Sequence, residues 1–432
     1  MNSLKITLVI FIASLCFFSS CGNKTQTVIH PNDYNSYLNN KEDKSLENAK
    51  KEITFWQKKF DAAPNQYSYL SQISSNYSKL YEITGNIDDL IKAEQLLLDS
   101  NESLKYTSVE SIRLLARNYI SQHRFKEALV LANKALVIGE GIDETQKLLF
   151  DIHLELGNYV AAENVLKEIS KKNDFDYLTR IARWSDHKGN LGTAISFMEK
   201  ASKVAEYNND NYLKIVSFSN LANLNGRAGK IKESYNYYLK TLAIQPSNYY
   251  ALKGIAWIAF SNEKNTKEAN RIIDIIIKKH NSPGLYLLKS EIVKYEKNNN
   301  AEQENLKTYF ALLQNKNYGA MYNKYNALIY SDEKTTANKA LEIAKIEVNQ
   351  RPTPESYDLL AWAYYNLGYE KKALEISQKY VAGKSFDPML NYHLATIYKF
   401  NTLLEKVKPI KEELINSSFE LGPTLTNKIL KL

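Results

Sequence analysis

Six histidines, two cysteines and a few acidic pairs are the residues here that could do chemistry, and their spacing argues against most of it. His30, His123, His153, His187, His280 and His393 lie far apart, so no two stand at the interval that puts a pair of metal ligands on one helix face. The phosphate-cradling G-x-x-x-x-G-K-[ST] loop and the dinucleotide loop G-x-G-x-x-G are missing. So are the zinc-protease H-E-x-x-H and the nucleophile elbow G-x-S-x-G. Asp88-Asp89 falls at an expected helix start, where the helix dipole accounts for the charge without catalysis. The chain is therefore expected to be no enzyme, with no metal site and no cofactor.

Both cysteines lie at the amino terminus. One cation, Lys5, precedes an apolar run from Ile6 to Phe18, and small Ser19 and Ser20 stand directly before Cys21. The run is short of the about 20 residues a membrane helix needs, and it reads as a secretory signal over residues 1–20. The small residues before the cysteine resemble a bacterial lipobox, with Phe18 where Leu is usual; Cys16, behind bulky Leu15, fits less well. That resemblance implies Cys21 as the lipid attachment site and first mature residue, and membrane contact through the lipid anchor only. With Cys16 removed and Cys21 acylated, no disulfide remains available. Gly22 is not the Asp of inner-membrane retention, and no acidic cluster follows, so an outer-membrane lipoprotein facing the periplasm is expected. Residues 21–42 are polar, hold Pro31 and show no helical period, so they are expected to form a flexible tether.

The elements that must position any site are helices. Only 15 Gly and 9 Pro in 432 residues is too few for the frequent turns of a sandwich or barrel, while 44% hydrophobic content suffices for a continuous core. The net charge of +8, spread over 56 basic and 48 acidic residues without a cationic run, excludes a dedicated nucleic-acid protein. The 31 Tyr suit surfaces half buried between helices.

Internal periodicity supplies the fold. Leu360-Ala361-Trp362-Ala363-Tyr364-Tyr365-Asn366-Leu367-Gly368-Tyr369-Glu370-Lys371-Lys372-Ala373-Leu374 resembles a tetratricopeptide repeat. The marks are small residues at the eighth and twentieth places, Tyr at the eleventh and Gly at the fifteenth. Small residues let two helices approach, and Gly ends the first helix in a left-handed turn. The frame recurs with Ala116 and Ala128, with Gly157 and Ala162, with Gly189 and Ala194, and with Ala222, Gly229 and Ser234. Pro246, Pro283, Pro352 and Pro388 fall at unit ends, where helices must stop. The resemblance implies an all-α, right-handed superhelix (an α-solenoid) of about nine or ten helix-turn-helix repeats. Approximate units are 71–104, 109–142, 143–174, 175–208, 215–248, 249–283 with one inserted residue, a degenerate 284–320, then 321–353, 354–387 and 388–421. Residues 43–70 should cap the front and 422–432 the back, since end repeats must cover their apolar faces.

In such arrays the first helix of each unit lines a concave groove. Carried over, that rule gives Arg113, Arg117, Lys147, Arg183, Asn223 and Arg227 in a basic early groove. It gives Tyr250, Trp257, Tyr325, Trp362 and Tyr365 in an aromatic later one. No Lys stands four residues before Asn223, where Ser219 is found, so the carboxylate clamp of chaperone-binding members is not matched. Together these features resemble the tetratricopeptide-repeat lipoproteins of Bacteroidota. They imply a non-catalytic scaffold on the envelope that binds a protein or peptide partner in its groove. The alternative implied by the same anchor and helices is glycan or ligand capture of the SusD type.

Overall fold

The computed structural model describes residues 27–40, 42–170 and 174–432. The expected signal sequence and Cys21 lie outside the described residues. The described chain is all-α and contains twenty-three α-helices. Two precede the array: α1 (Pro31–Leu38) and α2 (Lys44–Ala62). Then come ten hairpins. The first five are α3/α4 (Ser68–Thr84, Ile87–Ser103), α5/α6 (Val109–Ser121, Phe125–Ile138), α7/α8 (Ile142–Glu155, Tyr159–Ile169), α9/α10 (Phe175–His187, Leu191–Tyr207) and α11/α12 (Asn211–Arg227, Ile231–Ile244). The second five are α13/α14 (Tyr249–Trp257, Thr266–Ile277), α15/α16 (Pro283–Tyr295, Asn299–Leu312), α17/α18 (Asn323–Ser331, Ala337–Gln350), α19/α20 (Pro354–Asn366, Glu370–Tyr380) and α21/α22 (Pro388–Phe400, Leu404–Asn416). A last helix, α23 (Ser418–Ile429), closes the chain. Helices that follow one another along the chain pack together in pairs.

Local sequence sets these boundaries. Asp43, Ser108, Asp174, Asp210, Asn248 and Thr353 each accept a backbone N–H of the helix they start. Pro31, Pro283, Pro354 and Pro388 stand in the first turn, where a missing N–H costs nothing. Within each hairpin the small residues sit where the helices cross: Ala116, Ala128, Ala194, Ala222, Ala361 and Ala373 are all fully buried. In the sixth hairpin the inserted residue is absorbed without a break, because α13 runs on into a π-helical turn over Ile258–Asn262. The degenerate seventh repeat has Glu302 where a small residue is usual. Its two helices still pack as a pair, and Lys294 of α15 bonds Glu302 of α16 at 3.2 Å.

The array also contacts itself at long range. Hydrogen bonds join residues 193, 196 and 197 apart, just under six repeats of 34 residues. Turns inside the first five hairpins meet connections between hairpins one coil turn later. Asn281 N–H donates to the Thr84 carbonyl at 3.0 Å, and Lys126 Nζ donates to the Asn349 carbonyl at 2.8 Å. Arg351 bonds Glu155 at 3.1 Å. The glycines of these turns serve twice. Gly189 takes φ +77°, and a Cβ there would come within 2.6 Å of the Phe386 ring; a Cβ on Gly85 would come within 3.0 Å of His280.

Two segments differ from expectation. The tether expected over 21–42 is docked from Val28 onward. Ile29, Tyr34 and Leu38 are buried in the core of α12–α15, the Val28 and Ile29 amides donate to Glu263, and the Tyr34 hydroxyl donates to Glu268. Its physical basis is short: Pro31 starts a helix of about two turns, and Tyr34 and Leu38, four residues apart, share its face. The closing helix begins at Ser418 rather than at 422, and its Leu421 and Ile429 cover Leu414 and Met389 as an end cap must.

Because the crossing alanines touch a facing helix, Ala194→Leu and Ala373→Leu should each lower the unfolding free energy by about 1–3 kcal/mol. A change at Val137, 86% exposed on α6, should alter it by less than about 0.5 kcal/mol. Shifts in the urea midpoint check this, and a neutral Ala194→Leu would contradict the assigned crossing.

Candidate functional site

The inner face of the coil is built from the first helix of each hairpin, and turn-on-turn packing makes it the wall of a lumen. Two hollows open from it. The larger, about 960 Å³, lies among α3, α11, α13, α15, α17 and the start of α23. The smaller, about 430 Å³, lies among α5, α7, α9 and α11.

Charges dominate the smaller hollow, and nearly all are paired. Lys147 Nζ bonds Asp176 at 2.9 Å and Glu144 at 3.0 Å, with Asp174 at 3.6 Å. Burial works to discharge this ammonium, but the hydrogen bonds from Asp176 and Glu144 outweigh it and raise its pKa. Arg180 and Arg183 share Asp151 at 2.7 and 3.2 Å, and Arg183 continues to Glu155 at 2.5 Å. Glu155 then reaches Arg351 across the coil turn. The same pattern recurs at Arg227, which bonds Asp186 at 2.6 Å and Glu420 at 3.0 Å. Burial opposes its charge, and Glu420 and Asp186 more than offset that.

The larger hollow differs in kind. Tyr249, Tyr250, Trp257, Tyr322 and Tyr325 give it rings, and Asn223 donates to the Tyr250 hydroxyl at 3.3 Å. His280 stacks on Tyr249 with ring centroids 3.4 Å apart, and its Nδ1 lies 3.0 Å from the Ile83 carbonyl. Since a carbonyl only accepts, Nδ1 carries the proton. Burial pushes this imidazole down to about 4, against that hydrogen bond. Three charged side chains in the hollow make no hydrogen bond or ion pair: Lys253, Glu82 and Glu291. Burial lowers the pKa of Lys253. Burial also pushes Glu291 up to about 7, against the pull of Lys294. Lys253 is half-buried, and its ammonium lies 5.6 Å from the centre of the Tyr250 ring.

One end of this hollow is filled by the chain itself. The Phe419 carbonyl accepts from Trp257 Nε1 at 3.0 Å and from Ser261 Oγ, in the π-helical turn, at 2.6 Å. Gly422 follows at φ +75°; a Cβ there would come within 2.7 Å of Glu291 Oε1 and 3.0 Å of Trp257.

The sequence-derived groove residues thus divide into groups. Asn223, Arg227, Tyr250, Trp257 and Tyr325 converge on the larger hollow. Arg117, Arg183, Asn223 and Arg227 line the smaller one, where Arg117 is solvent-exposed. Lys147 is buried beside it in its acidic cluster. Arg113 is turned to the Glu140 and Gly141 carbonyls at 3.2 and 3.1 Å. Trp362 and Tyr365 stack on each other at 5.1 Å and pack between the last two hairpins, Trp362 on His393 at 4.0 Å and Tyr365 on Phe400 at 5.6 Å. His393 is itself held by buried Asp358 at 2.7 Å.

Sequence reasoning passed over Lys253 and Glu291. Lys253 stands in the fifth place of its repeat, a groove position, between Tyr250 and Trp257. Glu291 was hidden by the degenerate unit; counted from the helix start at Pro283, small Ser290 falls at the eighth place and Glu291 at the groove-facing ninth.

No protein-family model matches this chain, and no curated protein matches it. Among solved structures it is similar to a tetratricopeptide repeat protein from Parabacteroides merdae, with 16% identity and a TM-score of 0.38 over 57% of this chain and 92% of that one. It is similar also to PilF of Pseudomonas aeruginosa, with 15% identity and a TM-score of 0.36 over 49% of this chain and 94% of that one.

Glu291 makes the hollow's energetics measurable. Its pKa near 7 in the folded chain lies above the ordinary 4.5, so the folded state binds the proton more tightly and stability falls as pH rises between those values. Glu291→Gln should match the native chain in melting temperature at pH 5 and exceed its stability at pH 8 by about 1–3 kcal/mol. An equal offset at both pH values would contradict the assigned burial.

Proposed function

We propose that this chain is a non-catalytic binding scaffold, tethered to the bacterial envelope through acylated Cys21, that holds a protein or peptide partner in the lumen of its coil. One observation carries the reading. The 960 Å³ hollow combines a ring wall with charged groups that the chain leaves unpaired, whereas the neighbouring hollow is closed by its own ion pairs. A hollow of that size, mostly apolar with a few convergent polar groups, is the form that binding sites take. Tyr325, 47% exposed at its edge, gives a partner a first contact. The outer-membrane location, facing the periplasm, rests on the lipobox and on Gly22.

The docked segment from Val28 to Leu38 bears on the anchoring. Only residues 22–27 separate Cys21 from that segment, so the array would sit close to the lipid surface.

A photo-reactive phenylalanine analogue at Tyr325, introduced in cells, should trap a discrete envelope protein identifiable by mass spectrometry. The same group at Tyr207, 92% exposed on α10 and away from both hollows, should not. Identical adduct patterns from the two positions, or none from any lumen position, would count against the reading. Cys21→Ser should shift the chain from the membrane to the soluble fraction; unchanged membrane association would remove the anchor from the account.

A further inference from the structure

We propose that the larger hollow is a binding site for short zwitterionic peptides of two or three residues, with Lys253 taking the ligand carboxylate and Glu291 its ammonium. This deepens the scaffold reading and rests on its assignment of the lumen as the binding surface.

The inner face pairs most of its ions. Lys147, Arg183 and Arg227 each have carboxylate partners within 3.2 Å, supplied by neighbouring repeats or, for Arg227, also by Glu420 of the closing helix. Lys253 and Glu291 break that pattern. Both are half-buried, both line the hollow, and neither has a hydrogen bond or ion pair; the nearest partner of the Lys253 ammonium is the Tyr250 ring, 5.6 Å away. Half-buried charges without an ion partner are partly desolvated, and an opposite charge brought into the hollow would stabilise each of them. They do not satisfy each other, since no ion pair joins them.

The class of ligand follows from what both groups need together. A simple anion would complete Lys253 and leave Glu291 uncompensated, and a simple cation would do the reverse. A neutral molecule would help neither. A molecule bearing both charges completes the two at once, and its apolar body has Tyr250, Trp257 and Tyr322 to lie against. The spacing suits a short peptide. Lys253 and Trp257 are one helical turn apart on the same face of α13, about 6 Å, and Glu291 lies beside Trp257 at the filled end of the hollow. Two or three extended residues span about 7–10 Å.

The wall also shows that it reads peptide backbone. Trp257 Nε1 and Ser261 Oγ both donate to one main-chain carbonyl, that of Phe419, while Arg227 holds the adjoining Glu420 carboxylate. The chain's own Phe419-Glu420 thus occupies the neighbouring subsite in the manner expected of the ligand. At the rim, exposed Asn223 and Glu82 provide further polar contacts for a peptide amide.

The test is calorimetric titration of the full chain in detergent with Ala-Tyr-Ala, with its N-acetyl form and with its C-terminal amide. The free tripeptide should bind, and capping either end should weaken binding at least tenfold. Lys253→Met should erase the penalty of amidation and keep that of acetylation, and Glu291→Gln should do the converse. Both residues are half-buried and make no hydrogen bond or ion pair, so thermal melts should show folded variants. Equal binding of free and capped peptides would overturn the proposal while leaving a lumen that takes internal peptide segments. Absence of binding by all three, with a partner still trapped from Tyr325, would overturn it and leave the scaffold reading standing.

Discussion

Close approach between the turns of one coil and the connections of the next is the constraint on which the rest of this structure depends. In an open helical-repeat array each unit touches only its neighbours, and stability is close to a sum of local terms. Here units nearly six repeats apart are joined by the Asn281–Thr84 backbone bond, by the Arg351–Glu155 pair and by Arg227 with Glu420. None of these is strong alone; a partly exposed ion pair contributes about 0.2–1 kcal/mol. Their effect is geometric. They fix the pitch of the coil, and the pitch decides that the concave face is a narrow lumen rather than an open groove.

Enclosure then governs the chemistry of the inner face. Cations that would be freely solvated in an open groove are drawn into a chain of pairs from Lys147 through Arg180, Arg183 and Glu155 to Arg351. In the hollow beside Trp257, by contrast, Lys253, Glu82 and Glu291 make no ion pair. The π-helical turn at Ile258–Asn262 belongs to the same economy of space: it places Ser261 where, with Trp257, it can hold the Phe419 carbonyl. The last helix thereby seals one end of the lumen as it covers the final repeat.

The hairpins were legible in the sequence because their marks are local. Ala361 with Ala373, and Gly189 with Ala194, state a helix crossing and a turn within a few residues. Coil closure was not legible, since it depends on small rotations summed over nearly six units. Gly85 and Gly189 look like ordinary turn residues until His280 and Phe386 are seen against them. Five groove residues, Asn223, Arg227, Tyr250, Trp257 and Tyr325, do meet in one hollow. Their charge balance was hidden, because the acids that neutralise Arg183 and Arg227 belong to neighbouring helices or to the far end of the chain. The docking of Tyr34 and Leu38 escaped notice because two apolar residues in one short helix carry no period to read.

The closed coil is tested most directly by the distance between two nitroxide labels, one at Asn86 and one at Asn281, in a chain whose own cysteines are replaced. Both positions are exposed, and they flank the contact where Asn281 N–H meets the Thr84 carbonyl. Pulsed dipolar spectroscopy should give a single narrow peak at short distance. A broad distribution reaching to the long separations of an open superhelix would contradict the closed coil, and with it the enclosed lumen.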